Sequence, residues 1–154
     1  MRVRMAAAAD AEAVMAVINA AFVVEKFFID GDRVNLEMVR EFLVQGEFLI
    51  AGDKAGVAAC VYVEARGDRG YLGLLSVDPT RQKTGLGRLL VAAAEEHCRA
   101  RGCRAMDLRV VNLRLVLPAF YRRLGYVENG TEDFPANEPT KLACHFVKMT
   151  KGLR

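Results

Sequence analysis

The sequence predicts an α/β domain in which helices cover a mixed, mostly antiparallel sheet. Three observations predict it. Helical and strand periodicities follow each other in the order β-α-α-β-β-β-α-β-α-β-β, short glycine turns join the three middle strands, and a single strand-helix-strand unit suits a parallel crossover. At 154 residues the chain makes one domain, 1–154. Its 53% hydrophobic and 27% charged content excludes disordered and collagen-like chains. The longest clean apolar run, Val57 to Val63, has seven residues against the roughly 18 of a membrane span, so no membrane association is expected.

Arg2 to Met5 alternates and reads as a short strand. Asp10 is expected to cap a helix running to about Val24, with Val14, Val17, Ile18, Ala21 and Phe22 as its apolar stripe. Phe27 to Asp32 is a loop, and Leu36, Val39, Arg40 and Leu43 mark a second helix that Gly46 ends. Strands follow at Glu47–Ala51, Val57–Glu64 and Tyr71–Val77, separated by the turns Gly52–Gly56 and Arg66–Gly70, which predicts an antiparallel meander. A helix from Gly85 to about Arg101 is stopped by Gly102, and a strand runs from Arg104 to Val110. Leu115–Leu124 is a helix ended by Gly125; strands at about Tyr126–Asn129 and Leu142–Thr150 close the chain.

Four cysteines, Cys60, Cys98, Cys103 and Cys144, are spaced 38, 5 and 41 apart with only two histidines, so no zinc pattern assembles and no metal is expected. They read as reduced, mostly buried thiols of a cytoplasmic protein, with Cys98 and Cys103 packed rather than bridged. Asp10 and Glu12 interrupt the apolar N-terminus before it reaches signal-peptide length, so the mature chain is expected to start at residue 1.

The net charge is +3, low for a dedicated nucleic-acid binder. Its distribution is uneven. Pro79 to Gly125 holds ten Lys/Arg against three acids, or +7, and the remainder twelve against sixteen, or −4. An anionic ligand near the middle of the chain and a more acidic surround for a cationic second substrate follow from this asymmetry.

The stretch from Leu74 to Leu90 is the most informative. A strand enters a proline-marked loop, and Gly85 and Gly87 open an apolar helix whose first backbone N–H groups stand free for an anion, most naturally a diphosphate. A Walker A loop would need Gly-Lys-Ser/Thr, and the dinucleotide fingerprint a third glycine where Leu90 stands.

Gln82-Lys83-Thr84-Gly85-Leu86-Gly87 resembles the Gln/Arg-x-x-Gly-x-Gly/Ala signature of the GCN5-related N-acetyltransferases (GNAT), at the expected place after Val77-Asp78-Pro79. The order of elements is similar along nearly the whole chain. The resemblance implies acetyl-CoA as co-substrate, its pyrophosphate on Gln82, Lys83, Thr84, Gly85, Leu86, Gly87 and Arg88, and its pantetheine along the backbone of Leu75, Ser76 and Val77. It also implies a V-shaped opening between two central parallel strands. Ala119-Phe120-Tyr121-Arg122-Arg123-Leu124-Gly125-Tyr126 resembles the family's Phe-Tyr-x-x-x-Gly-Phe/Tyr segment, which assigns Tyr121 as the proton donor to the leaving thiolate. Asn112 lies nine residues before Tyr121, against about seven in many members; it is assigned to CoA or to the helix cap.

For the acceptor, Phe28 and His145 are the named contacts, each with packing as the plainer alternative. Tyr71–Val77 contains no acid to serve as general base. Glu64 and Glu25 are candidates that read otherwise as surface carboxylates. The function expected is acetyl transfer from acetyl-CoA to a primary amine of a small molecule or peptide by direct attack. A CoA-binding regulatory module without catalysis is the alternative, and a homodimer is an allowed assembly.

Overall fold

The computed structural model describes residues 1–153. Its elements are β1 (Arg2–Met5), α1 (Ala11–Ala21), α2 (Leu36–Gln45), β2 (Glu47–Asp53), β3 (Gly56–Arg66), β4 (Arg69–Val77), α3 (Leu86–Arg99), β5 (Ala105–Val111), α4 (Leu117–Arg123), β6 (Val127–Asp133) and β7 (His145–Gly152). Seven strands form one sheet in the order β1-β2-β3-β4-β5-β7-β6. Every neighbouring pair is antiparallel except β4 and β5, which are parallel and joined through α3.

Alternation along β2 and β3 divides the core in two. Phe48, Ile50, Cys60 and Tyr62 face α1 and α2, while Leu49, Ala51, Val61 and Val63 face α3 and α4. Both faces of these central strands are covered, which explains their nearly continuous apolar runs. Gly46, between α2 and β2, must be glycine because a Cβ there would stand 2.6 Å from the Val63 carbonyl oxygen.

Several boundaries differ from expectation. Asp10 does not cap α1: its carboxylate instead accepts from the Ala7 N–H at 2.7 Å and from both Arg4 terminal nitrogens at 2.9 Å. The helical stretch after it changes at Phe22 into a 3-10 turn, Phe22–Glu25. α4 starts at Leu117 rather than Leu115, with Pro118 in its first turn where the missing N–H is harmless. β6 reaches Asp133, beyond the expected Asn129, because β7 offers it pairing partners up to Asp133 opposite His145. Cys98 and Cys103 are free and buried, on either side of Gly102, whose φ of +84° closes the α3 C-terminus; the Cys103 N–H returns to the Cys98 carbonyl at 3.0 Å. No helix among the described residues is long and apolar enough to cross a membrane.

Two features of β4 shape the middle of the sheet. It pairs with β5 only at Arg69, Gly70 and Tyr71, so the strands part beyond that point. Against β3 the register runs from Cys60 opposite Ser76 to Tyr62 opposite Gly73, which leaves Leu74 and Leu75 facing Val61 alone. Leu74 adopts φ +54°, uncommon for a side-chain-bearing residue, and its carbonyl accepts from the Ser76 hydroxyl at 2.9 Å. Such a bulge bends its strand, here at the point where β4 leaves β5.

Candidate active site

The gap between β4 and β5 opens into a cleft of about 850 Å³, lined on the β4 side by Tyr71, Leu74 and Leu75, and on the β5 side by Leu108, Val110 and Val111. Past Tyr71 the β4 edge toward β5 has lost its strand partner. Leu75 and Val77 pack toward the α3 face, whereas the Ser76 side chain is buried and spent on the Leu74 carbonyl. What this edge offers a ligand is therefore main chain.

The loop between β4 and α3 is built locally. Asp78 accepts from the Thr80 N–H at 2.9 Å and from its hydroxyl at 2.8 Å, starting a 3-10 turn at Pro79. Arg81 then binds Asp53 of the β2–β3 turn at 2.7 Å, and Thr84 donates to the Arg81 carbonyl at 2.6 Å. Lys83 and Gly85 both take positive φ, +66° and +83°, a backbone pattern that turns successive N–H groups the same way. The first α3 bond runs from the Leu89 N–H to the Gly85 carbonyl, leaving the N–H groups of Leu86, Gly87 and Arg88 without a partner inside the helix. Gln82, Lys83, Thr84 and Arg88 are exposed beside them. A Cβ on Gly85 would touch nothing, so its glycine is demanded by conformation, whereas one on Gly87 would make an ordinary contact with the Phe120 ring at 3.4 Å. These exposed cationic side chains and free N–H groups have the chemistry that a diphosphate needs.

α4 brings Tyr121 to the same cleft. The ring stacks edge-on against Tyr126 and Phe120, and burial pushes the phenol pKa up, with Tyr71 adding and the Arg114 guanidinium opposing. Among the described residues its hydroxyl has no hydrogen-bond partner, although it borders the cleft. Tyr126, behind it, donates to Glu95 at 2.8 Å, and Glu95 binds Lys151 at 2.9 Å.

The other named residues fall differently. Asn112 neither caps α4 nor lines the cleft: its carboxamide oxygen accepts from the His145 N–H at 2.8 Å, and its own N–H donates to the His145 carbonyl, closing the end of the β5–β7 ladder. The His145 side chain is exposed and outside the cleft, with Phe146 lining it in its place. Phe28 is fully buried, while its neighbour Phe27 is half exposed. Phe28 does not line the cleft; its ring meets that of Phe27 edge-on and its carbonyl accepts from the Lys141 N–H.

Glu25 is the residue whose environment the sequence least reveals. It is only 6% exposed rather than a surface carboxylate, lines the cleft, and binds Arg114, 89 residues away, at 2.8 Å. Burial raises its pKa, and Arg114 and then Arg33 oppose the rise. Glu64 also lines the cleft, but Arg66 at 3.0 Å and the Tyr62 hydroxyl at 2.7 Å hold it below the ordinary carboxylate range. Among the described residues no cluster of His, Cys, Asp or Glu could hold a metal ion.

A mixed sheet opened between two parallel strands, with a glycine-led helix N-terminus at the opening, defines an acetyltransferase-type fold. The family model described as "Acetyltransferase (GNAT) family" matches residues 14–126, and the chain belongs to that family. A search of curated protein sequences finds no match. Among solved structures, the chain is similar to a ribosomal-protein-alanine N-acetyltransferase from Brucella melitensis, with 22% identity, TM-score 0.80, and coverage of 99% of this chain and 100% of that one. It is also similar to the ribosomal-protein-S18-alanine N-acetyltransferase from Escherichia coli, at 16% identity and TM-score 0.79 over 99% and 93% of the two chains. Nourseothricin acetyltransferase gives 20% identity and TM-score 0.78 over 99% and 98%. At these identities the likeness establishes the shared fold.

Proposed function

We propose that this protein transfers an acetyl group from acetyl-CoA to a primary amine by direct attack, and that Glu25 and Tyr121 move the two protons the reaction requires. The observation that carries the reading is that one cleft joins the unpaired stretch of β4, Glu25 and Tyr121, and that Leu75 on its β4 side lies 3.9 Å from the Cβ position of Gly87 in the first turn of α3. When bound, acetyl-CoA supplies the acetyl group as a thioester already activated toward amines. Gln82 to Arg88 would hold its diphosphate and the main chain of Leu75, Ser76 and Val77 its pantetheine arm.

An amine reaches the cleft mostly as ammonium and must lose a proton to become a nucleophile. Glu25 accepts it, directly or through water, and its raised pKa makes it a stronger base than an ordinary carboxylate. Arg114 holds the carboxylate in position. Tyr121 gives its phenol proton to the departing sulfur and is reloaded by the second proton, which the nitrogen sheds once it carries the acetyl group; burial keeps that phenol neutral far above pH 7.

Free thiol released from acetyl-CoA, followed over a panel of amines, tests the proposal. At least one amine should drive release above hydrolysis, with the acetylated amine recovered in equal amount. Acetyl-CoA binding without release for any acceptor would instead make the protein the CoA-binding module.

A further inference from the structure

Five arginines line the cleft, and four of them are already neutralised. Arg66 binds Glu64, Arg69 binds Asp107, Arg114 binds Glu25 and Arg109 binds Glu132. Arg33 is the exception: among the described residues it has no carboxylate within ion-pair distance. It is nonetheless held in place, partly buried, with its guanidinium 5.6 Å from the centre of the Phe22 ring. Cation–π contact orients a guanidinium without neutralising it, so its donors remain available to a ligand. Among the described residues Lys26 and Lys148 also lack ion pairs, but both are exposed point charges on long stems.

Arg33 lines the same cleft as the proposed base, and its charge opposes the rise of the Glu25 pKa. A ligand whose amine reaches Glu25 therefore has a planar cation waiting at a second point. The far side of the cleft is also bounded. Lys141, in the β6–β7 connection, donates its N–H to the Phe28 carbonyl at 2.7 Å and its ammonium to the Lys26 carbonyl, and it binds Asp30 at 2.9 Å. These contacts tie the segment before α2 to the segment that carries the lining residues Phe134 and Glu138. Together they fix one wall of the cleft.

From these contacts we infer that the acceptor is a small amine carrying an oxyanion, either a carboxylate or a phosphoryl group, which Arg33 binds while Glu25 receives the ammonium proton. The inference rests on the transferase reading and narrows its substrate class. An acceptor without the oxyanion leaves Arg33 uncompensated, and a charge-assisted hydrogen bond lost in this way corresponds to roughly a ten- to hundredfold loss in kcat/KM.

The test compares matched acceptors: the common L-amino acids against their carboxamides, 2-aminoethylphosphonate against ethanolamine, and a short N-terminally free peptide amide. The preferred acceptor should be an oxyanion-bearing member with kcat/KM at least about tenfold above its neutral partner, and Arg33→Gln should erase that ratio while Arg33→Lys keeps part of it. The amino-acid and phosphonate arms distinguish the two oxyanions. Thermal-shift titration with the same compounds reads binding without turnover, and the oxyanion-dependent shift should vanish in Arg33→Gln. Preference for carboxamides or for the peptide, or a ratio unchanged in Arg33→Gln, overturns the inference. Oxyanion-dependent binding that Arg33→Gln abolishes, without acetyl transfer to any acceptor, upholds Arg33 as the oxyanion site and overturns the transferase reading.

Discussion

Tyr121 and Glu25 are both pushed toward their neutral, protonated forms by one physical cause. Burial disfavours charge, so it keeps the phenol protonated and lifts the carboxyl toward neutrality. Removing the phenol proton in Tyr121→Phe should lower the single-turnover rate roughly 10²–10⁴-fold with acetyl-CoA affinity near wild type; an unaltered rate would leave the tyrosine structural. Glu25 must be ionised to act, so the acid limb of kcat/KM is expected above the ordinary carboxylate range. Arg114→Gln removes a charge that lowers the Glu25 pKa, and the limb should move further up; a limb that stays put would separate the pair from catalysis. In stability the same rise has the reverse sense to the usual carboxylate: the unfolded chain ionises first, so Glu25 works against the fold as pH climbs through that range. Asp10 behaves oppositely. Arg4 and the Ala7 N–H lower it from 3.8 to about 2, so its stabilisation is complete above 3.8 and is lost as pH falls toward 2. Acid unfolding of Asp10→Asn should lack that component.

Among the elements, the parting of β4 from β5 depends on where their pairing is allowed to begin. Gly70 lies at that contact, where a Cβ would stand 2.6 Å from the Cys98 sulfur and 2.9 Å from the Met106 sulfur. Gly70→Ala should destabilise the protein by about 1–3 kcal/mol, measured by urea unfolding, because α3 must shift away from the sheet. Gly85→Ala meets no neighbour yet must hold φ +83°, which costs about 1–2 kcal/mol for an L side chain. Its larger effect is expected on the cofactor: if the turn relaxes, the N–H groups of Leu86 to Arg88 turn away, and calorimetry should show weakened acetyl-CoA binding. Undiminished affinity in a folded Gly85→Ala protein would dissociate this turn from the diphosphate.

Across the whole molecule, the C-terminal strand is fastened to α3 by a buried polar group. Glu95 of α3 accepts from Tyr126 and Lys151, and Lys151 of β7 also lies 5.7 Å from the centre of the Tyr126 ring. Lys151→Ala strands a buried carboxylate and should cost about 3 kcal/mol in denaturant unfolding. Glu95→Gln in the same chain should return part of that loss, since it removes the uncompensated charge. Because Tyr126 backs Tyr121, the fastening also steadies α4 against the cleft.

Much of the architecture lies in local pattern. Period-two and period-3.6 apolar spacing mark the strands and helices in their true order, Gly46, Gly102 and Gly125 stand where helices end, and Gly85 marks the turn of positive φ that opens α3. Such features depend on contacts within a few residues, and a sequence records those directly. Asp10 shows where that reading stops: its residue type suits a helix cap, but Arg4 and Ala7 claim the carboxylate. The site's polarity is decided at longer range. Glu25 is ordinary in sequence and becomes a buried base only because the fold brings Arg114 to it; Asn112 looks like a cofactor ligand until His145 occupies its oxygen; Phe28 turns inward while Phe27 does not. Burial and ion pairing belong to neighbours distant along the chain, and only the tertiary structure decides which arginines in one cleft are neutralised and that Arg33 is left with its charge to offer.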